Sequence, residues 1–390
     1  MGGNGMKWTR RAALLSPAAL AAAQQQQEQG AMKYTGALDK FTDEVDAVKM
    51  DPVRWSQSRY EQIPRRLKFE ARNRREAEAW QRRLRMKVTE LVGGFPAQRV
   101  PLAAKTLERR AFPGYWREAV VFDSRPGLSV FAYVMTPKKG AGPFPAAICI
   151  PGHGRGVDDI VGVDNQGRDR TDKDGYQHDF AIQVVEQGLA AVAIEPIGFG
   201  CRRGDEAKRR GLGANSCQPT AGAALLFGET MVGWRTWDVM RTIDFIETRP
   251  ELDAKRVGCL GISGGGTITL FATALETRIK AALVSGYLNT FRDSVLSLAH
   301  CMDNYVPGIL NWAEMSDVAG LVAPRALWAE SGTKDNIFPI EASRQAFAEV
   351  RKIYEVFGAG DRWGHEVFED GHSFSGVRGL PFLRERLREG

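Results

Sequence analysis

Histidine and cysteine are both scarce in this chain, with five of each among 390 residues. Neither residue type occurs at the spacing of a zinc-binding motif, so the sequence predicts no metal site. Glycine-rich loops of the phosphate-binding kind are also missing, apart from one glycine-rich turn described below. The scarcity of histidine leaves few candidates for a general base.

Long apolar runs and a large excess of one charge are missing as well. The apolar stretch at 12–23 is too short to span a bilayer as a stable anchor. The net charge is only +6, and the arginine groups at 65–66, 72–75 and 82–83 lie among glutamates on predicted helices. We interpret these groups as solvated helix faces, so the sequence predicts neither a stable membrane anchor nor a nucleic-acid partner.

Residues 1–30 are predicted to be an export signal and a polar linker. Thr9-Arg10-Arg11 precedes the apolar stretch, small residues at 21–23 offer a cleavage site, and a glutamine-rich segment follows. The pattern resembles a twin-arginine signal, which predicts a periplasmic or secreted protein. A basic tail without a signal function is the alternative. In an exported protein, Cys201 and Cys217 would be free to form a disulfide.

Strands and helices alternate along most of the chain, which predicts an α/β fold. Two antiparallel strands, at 117–122 and 128–135, come before this alternation begins at residue 146. The order predicts a mostly parallel central sheet, helices on both faces and a ligand site at the carboxyl ends of the strands. Two long excursions, 196–232 and 286–323, follow predicted strands and are expected to cover that site.

The region before the sheet, 31–94, is predicted to be an N-terminal helical extension with helices at 38–48 and 75–92. The remainder, 95–390, is predicted to be one domain. With 43% hydrophobic residues, the chain can bury a large core.

The most informative motif is Gly261-Ile262-Ser263-Gly264-Gly265, which matches G-x-S-x-G. An apolar strand precedes it and an apolar helical segment, 267–275, follows it. Strand, tight turn and helix are the context of a nucleophile elbow, in which the serine backbone is strained and its neighbours are glycines. The motif therefore predicts that Ser263 is a nucleophile. A glycine-rich turn with an incidental serine is the alternative.

A serine nucleophile needs a general base, and the base needs an acid that orients it. In the fold that carries this elbow, the acid and then the histidine follow the serine along the chain. Asp335 follows an apolar strand, and His372 lies in the loop after the last predicted strand. The order Ser263, Asp335, His372 predicts a catalytic triad. Asp370 and Glu330 are the alternatives for the orienting acid.

The loop Gly152-His153-Gly154-Arg155-Gly156 directly follows the apolar strand at 146–150. Backbone N–H groups of such a loop, with the N–H of the residue after the nucleophile, bind the oxyanion of a tetrahedral intermediate. We therefore predict an oxyanion hole formed by Gly264 and His153, with Gly154 as the next choice. A second general base is the other interpretation of His153.

The excursions carry aromatic side chains that suit an apolar or sugar-stacking wall: Phe199, Phe227, Tyr287, Tyr305 and Trp312. Of these, Tyr305 and Trp312 are predicted to bind substrate. The alternative for each aromatic residue is that it packs its excursion onto the body of the domain.

Four blocks mark the region 95–390: Tyr176-Gln177-His178-Asp179-Phe180-Ala181, Gly258-Cys259-Leu260-Gly261-Ile262-Ser263-Gly264-Gly265-Gly266, His300-Cys301-Met302-Asp303-Asn304-Tyr305-Val306-Pro307-Gly308 and Ser331-Gly332-Thr333-Lys334-Asp335. They resemble bacterial serine esterases of the α/β-hydrolase superfamily, described as dienelactone-hydrolase-like or acetyl-xylan-esterase-like. The resemblance implies an α/β-hydrolase fold, a serine triad and no metal or organic cofactor.

The chain departs from these relatives in two ways. Ser263 stands where true dienelactone hydrolase has a cysteine nucleophile. Gly152-His153-Gly154-Arg155 and Gly264 stand where cephalosporin- and xylan-deacetylating esterases have an R-G-Q loop and a glutamine. These departures weaken the implication of acetylated xylan as the substrate.

Together these observations predict a serine carboxylic-ester hydrolase that works through an acyl-enzyme. Predicted export and the resemblance favour short acyl groups, such as acetyl, on carbohydrate or other small-molecule esters, and leave the oligomeric state open. One alternative is a serine peptidase related to prolyl oligopeptidases, but 390 residues leave no room for their propeller domain. The other is a catalytically inactive hydrolase fold that serves for binding.

Overall fold

A computed structural model describes residues 36–389 except 39, 42, 45, 171, 172 and 174. The chain divides into two compact units, Met1–Trp55 and Ser56–Gly390. The predicted export signal at 1–30 lies outside the described residues and stays a prediction, which the N-terminal sequence of the mature protein would check. No helix of the described part is both long and apolar enough to cross a membrane.

A nine-stranded sheet forms the centre of the unit Ser56–Gly390. Its strands are β1 Lys105–Ala111, β2 Tyr115–Arg125, β3 Leu128–Pro137, β4 Phe144–Ile150, β5 Ala190–Ile194, β6 Leu252–Ile262, β7 Ile279–Ser285, β8 Ala326–Gly332 and β9 Trp363–Phe368. Their spatial order is β1-β2-β3-β5-β4-β6-β7-β8-β9. In this spatial order, the three neighbouring pairs from β1 to β5 are antiparallel, and the five pairs from β5 through β4 to β9 are parallel. The predicted mostly parallel sheet is confirmed.

Ten α-helices belong to the described part of the chain. They are α1 Pro52–Gln62, α2 Arg74–Leu91, α3 Phe180–Glu186, α4 Asp205–Arg210, α5 Cys217–Leu226, α6 Met231–Glu247, α7 Gly264–Leu275, α8 Met315–Gly320, α9 Ile340–Phe357 and α10 Gly379–Arg388. Short 3₁₀ turns occur at Ala47–Met50, Gly156–Asp159, Gly200–Arg202, Met302–Asn304, Ile309–Asn311 and Gly360–Arg362.

Helices cover both faces of the sheet because successive strand residues point to opposite sides. Ala147 and Cys149 of β4 pack in the layer that contains α3 and α10. Ile148 and Ile150 of the same strand pack in the layer that contains α6 and α7. This alternation produces a continuous apolar strand buried on both sides, which is the pattern expected of a parallel sheet.

Of the two helices predicted in the N-terminal region, the described part of the chain contains only the second. Helix α2 is present, and Asn73 caps it by accepting a hydrogen bond from the N–H of Glu76 at 3.0 Å. The predicted helix at 38–48 is wrong, since the described residues there form turns and the 3₁₀ turn Ala47–Met50. Helix α1 begins later, where the Asp51 carboxylate accepts the N–H of Val53 at 2.9 Å and Pro52 occupies the first helical position.

The two excursions have more structure than the sequence predicts. The segment 196–232, here called the first cover, contains α4 and α5. The segment 286–323, the second cover, contains two 3₁₀ turns and α8. Each cover begins where a strand ends, β5 for the first and β7 for the second. Both therefore start at the carboxyl edge of the sheet, where the site residues lie.

Candidate active site

Ser263 lies directly after β6 in a strained backbone conformation. Its φ is +57° and its ψ is −121°, and it forms the N-cap of α7. Its N–H donates to the Ser285 carbonyl at 3.1 Å, and its own carbonyl accepts the N–H of Thr267 at 2.9 Å. These bonds hold a conformation that side-chain-bearing residues rarely adopt, as a nucleophile elbow requires.

The glycines around Ser263 are required by close backbone contacts. A Cβ on Gly261 would lie 2.5 Å from the carbonyl oxygen of Ile150, and a Cβ on Gly265 would lie closer still to the same oxygen. A Cβ on Gly266 would lie 2.8 Å from the carbonyl oxygen of Ser285. Since strand backbone cannot move aside cheaply, only glycine fits these positions.

Asp335 and His372 meet after the carboxyl ends of β8 and β9. The Nδ1 of His372 lies 2.7 Å from the Oδ2 of Asp335. The other oxygen, Oδ1, accepts the N–H groups of Ile337 at 2.9 Å and Phe338 at 3.0 Å. With Nδ1 held as the donor to this buried carboxylate, Nε2 is the proton acceptor of the ring. That Nε2 is buried and has no hydrogen-bond partner in the described part.

Tyr176 connects His372 with the Ser263 turn. Its ring stacks on the imidazole of His372 at a centroid distance of 5.6 Å. Its hydroxyl donates to the carbonyl of His153 at 2.6 Å and lies beside Gly152. A Cβ on Gly152 would lie 3.0 Å from the Cβ of Ser263.

The start of the second cover makes a further connection between the same residues. Gly286 follows Ser285, whose carbonyl binds Ser263. A Cβ on Gly286 would lie 3.0 Å from the Cε1 of His372 and 3.6 Å from the Oδ2 of Asp335. The structure therefore brings the three predicted triad residues into one small region at the carboxyl edge of the sheet.

The two alternative acids hold the histidine loop and make no hydrogen bond to His372. Glu330 accepts the N–H groups of Ser375 and Gly376, each at 2.9 Å. Burial raises the pKa of Glu330 to about 7. Asp370 accepts the N–H of Gly371 and the hydroxyl of Ser373, each at 2.7 Å. Both carboxylates fix the backbone on either side of the imidazole.

The described loop after β4, residues 152–156, has three backbone N–H groups without a protein acceptor. The N–H of Gly152 donates to the Gln177 side chain at 2.8 Å, and that of Arg155 donates to Asp159 at 2.7 Å. Among the described residues, this leaves the N–H groups of His153, Gly154 and Gly156 without a protein acceptor. The predicted roles of His153 and Gly264 in an oxyanion hole stay predictions.

The imidazole of His153 explains why glycine occupies position 264. A Cβ on Gly264 would lie 3.1 Å from the Nδ1 of His153 and 3.5 Å from the Phe199 ring. A side chain at this position would therefore press on the imidazole and contact the Phe199 ring. The Nε2 of His153 faces the Oδ2 of Asp303 at 3.4 Å, which gives the ring a partner other than Ser263.

Most of the aromatic residues of the covers pack the covers onto the domain. Phe199 and Tyr287 are fully buried, whereas Phe227 is 75% exposed. The Tyr305 hydroxyl donates to the Val295 carbonyl at 3.1 Å. Trp312 lies under the ammonium of Lys87 at 4.4 Å.

The structure therefore brings neither Tyr305 nor Trp312 into a hydrogen bond or ring contact with the triad residues. Tyr305 instead lines an apolar cavity of about 320 Å³ between the second cover and Leu225 of the first cover. Their predicted roles in substrate binding stay predictions.

The disulfide that export would permit between Cys201 and Cys217 is not formed in this structure, where both thiols are free. The Cys217 thiol is buried at the start of α5, with its Sγ 3.4 Å from the Oδ2 of Asp303. Cys201 lies in the 3₁₀ turn Gly200–Arg202. Its backbone N–H donates to the Glu195 carboxylate at 3.3 Å. The two cysteines therefore lie in different elements of the first cover.

Glu195 is a residue of the site that the sequence analysis missed. It follows β5, and its two oxygens accept the N–H of Val157 at 3.2 Å and that of Cys201 at 3.3 Å. A Cβ on Gly156 or Gly200 would collide with its carboxylate. Glu195 thus ties the segment after β4 to the first cover. A single acid after an apolar strand forms no recognisable sequence motif. The one available signal is its position, because a carboxylate buried at the end of a strand normally needs hydrogen-bond donors.

Glu195 makes stability depend on pH. Burial raises its pKa from 4.5 to about 8, so the folded state binds this proton more tightly than the unfolded state. Its contribution to the free energy of unfolding is full below pH 4.5 and is lost as the pH rises to about 8. We expect Glu195→Gln to reduce the fall in stability with pH by up to about 1.4 kcal/mol per pH unit.

Denaturant unfolding of both proteins at several pH values between 5 and 8 measures this slope. Glu355→Gln, on the exposed face of α9, is the matched control and should keep the wild-type slope. Parallel curves for the wild type and Glu195→Gln would contradict the prediction.

Comparisons with known proteins agree with the fold. The protein from Bacillus subtilis (strain 168) that carries the name hydrolase YtaP is 26% identical over 286 residues, which covers 71% of this chain and 89% of that protein. A structure from Bacteroides fragilis NCTC 9343, named as an acetyl xylan esterase, matches with TM-score 0.73 and 18% identity, covering 86% of this chain and 94% of that one.

A glucuronoyl esterase from Solibacter usitatus matches with TM-score 0.63 and 16% identity, covering 83% of this chain and 97% of that one. These structural likenesses confirm the predicted α/β-hydrolase fold. The model of the Abhydrolase family matches residues 57–356, most of the unit that contains the sheet. This chain belongs to the Abhydrolase family.

Proposed function

We propose that this protein is a serine carboxylic-ester hydrolase. The observation that carries the proposal is the pair of His372 and Asp335, 2.7 Å apart, beside the strained turn of Ser263. The unpartnered Nε2 of His372 is the atom that a general base needs.

The mechanism follows from these groups. The Nε2 of His372 takes the proton of Ser263, whose oxygen attacks the ester carbonyl. Asp335 holds the imidazole in the required tautomer and stabilises the imidazolium. His372 then protonates the leaving alcohol, and a water molecule activated by the same nitrogen releases the acyl group and restores the serine.

The oxyanion is the charge that the site must stabilise. We assign this role to the N–H groups of Gly264 and His153, which lie at the start of α7 and after β4. The N-terminal end of α7 adds its partial positive charge at the same place. Tyr176 and Gln177 hold the loop of His153, so these donors are positioned before substrate arrives.

We assign the substrate to short-acyl esters of carbohydrates or of other small molecules. Two structural neighbours are named as acetyl xylan esterase and glucuronoyl esterase, and these names direct the choice of substrates for testing. The predicted export signal is consistent with a substrate outside the cytoplasm.

A substrate panel tests this assignment. We expect p-nitrophenyl acetate to be hydrolysed with a higher kcat/KM than the butyrate and octanoate esters. Acetylated xylan and a methyl ester of glucuronic acid distinguish between acetyl and uronoyl specificity. A peptide p-nitroanilide should be inert. Faster cleavage of the anilide than of every ester would favour the peptidase alternative instead.

A further inference from the structure

Four side chains of the metal-ligand type converge beside the predicted oxyanion hole. They are His153, Cys217, Cys301 and Asp303, here called the four-ligand cluster. One ligand atom of each lies within 4.8 Å of the ligand atoms of the others. Cys217 and Asp303 are buried, and His153 and Cys301 are partly exposed, which leaves a path for an ion.

The spacing of these atoms fits a tetrahedral ion. Zinc bonds of about 2.0–2.3 Å place the corners of a tetrahedron about 3.3–3.8 Å apart. The Nε2 of His153 lies 3.4 Å from the Oδ2 of Asp303. The Sγ of Cys217 lies 3.4 Å from that oxygen and 3.8 Å from that nitrogen. These three separations match three of the six edges of a zinc tetrahedron, and the Sγ of Cys301 lies within 4.8 Å of a ligand atom of each of the other three residues.

The charge around the cluster also fits a divalent ion. Arg235 is buried, and its guanidinium donates to the Oδ2 of Asp303. Its Nη2 also lies 3.5 Å from the Sγ of Cys217. Two thiolates and one carboxylate carry three negative charges, which Arg235 and a divalent cation would balance. A buried site of zero net charge avoids the cost of an uncompensated charge.

We propose that His153, Cys217, Cys301 and Asp303 bind one divalent metal ion, with zinc as the preferred ion. Two sulfur ligands and one imidazole favour zinc over magnesium or calcium, which prefer oxygen. Four protein ligands leave no position for a catalytic water, so the site is structural. Binding releases the thiol protons, because the thiolate is the ligand.

The four ligands come from three separate segments. His153 belongs to the loop after β4, Cys217 to the first cover, and Cys301 and Asp303 to the second cover. A metal ion here would fix both covers to the loop that carries a predicted oxyanion donor. The wide spacing along the chain also explains why the sequence shows no zinc motif. The effect on catalysis rests on the proposed function, whereas metal binding does not.

Metal analysis of the purified full-length chain tests the proposal. After incubation with equimolar zinc and desalting, we expect about one zinc per chain and a higher Tm than after chelation. Cys301→Ser should lose most of the bound zinc. The matched control Cys201→Ser changes an exposed cysteine outside the cluster and should keep it. Ser263→Ala should also bind zinc normally, which separates this proposal from the proposed function.

Cobalt substitution keeps the proposal testable if Cys301→Ser does not fold. The Co²⁺ form of the wild type should show thiolate-to-metal charge transfer and the strong visible bands of a tetrahedral ion. Less than about a tenth of a zinc per chain, equal zinc in Cys301→Ser and the wild type, or a weak octahedral Co²⁺ spectrum would each overturn it. Arg235 and Asp303 would then be a buried ion pair with two neighbouring thiols.

Discussion

Ser263→Ala is expected to lower kcat for ester hydrolysis by about 10⁶-fold, the size of the effect when a serine hydrolase loses its nucleophile. The hydroxyl of Ser263 is the atom that forms the acyl-enzyme, and no neighbouring group can replace it. The oxyanion donors and the binding site remain, so a residual rate above that in water is expected. Steady-state kinetics with p-nitrophenyl acetate measures the loss.

The fold should survive this change, because Ser263 is not part of a buried packing layer and alanine is smaller. Thermal unfolding should place the Tm of Ser263→Ala close to that of the wild type. Ser297→Ala, which removes an exposed hydroxyl of the second cover, is the matched control and should keep full activity. Activity above a few per cent in a folded Ser263→Ala would contradict the assignment of the nucleophile.

The second large effect concerns the base and its orienting acid. His372→Ala is expected to reduce kcat nearly as much as the serine change, since the base and nucleophile act as a unit. Asp335→Asn is expected to reduce kcat by about 10⁴-fold through the tautomer of His372. The N–H groups of Ile337 and Phe338 require an acceptor at Oδ1, so the asparagine amide must point its NH₂ at Nδ1. The ring proton then lies on Nε2, and this nitrogen can no longer accept the proton of Ser263.

The alternative acids provide the control for this prediction. Asp370→Asn leaves the contact between His372 and Asp335 intact, so it should keep most of the activity. Activity that survives Asp335→Asn but falls in Asp370→Asn would assign the orienting role to Asp370. The ratio of the two kcat values decides between the acids.

The sequence predicts the elements of the site best where the chemistry is local. Ser263 could be found because its strained turn requires glycines beside it in the sequence, and these glycines form a recognisable motif. Asp335 could be found because it follows an apolar strand, and His372 because it lies in the loop after the last predicted strand. Parallel strands end at the same edge. These positions depend on short stretches of chain, so a single sequence contains them.

Other features depend on contacts between distant segments. Strand β1 was missed because all its residues are exposed and show no alternation of apolar and polar side chains. Glu195 was missed because its partners lie on two other segments. The four-ligand cluster was missed for the same reason, and the sequence alone left open a disulfide between Cys201 and Cys217 that the structure does not contain. Only the folded chain shows that Cys217 turns toward Asp303 and away from Cys201.

Labelling with a fluorophosphonate, followed by peptide mass spectrometry, tests the central claim most directly. The reagent reacts with a serine only when a base and an oxyanion hole activate it. We predict one adduct per chain, located on Ser263, much slower labelling in His372→Ala and none in Ser263→Ala. A folded wild-type protein that stays unlabelled, or an adduct on another serine, would contradict the claim that Ser263, His372 and Asp335 form a working triad.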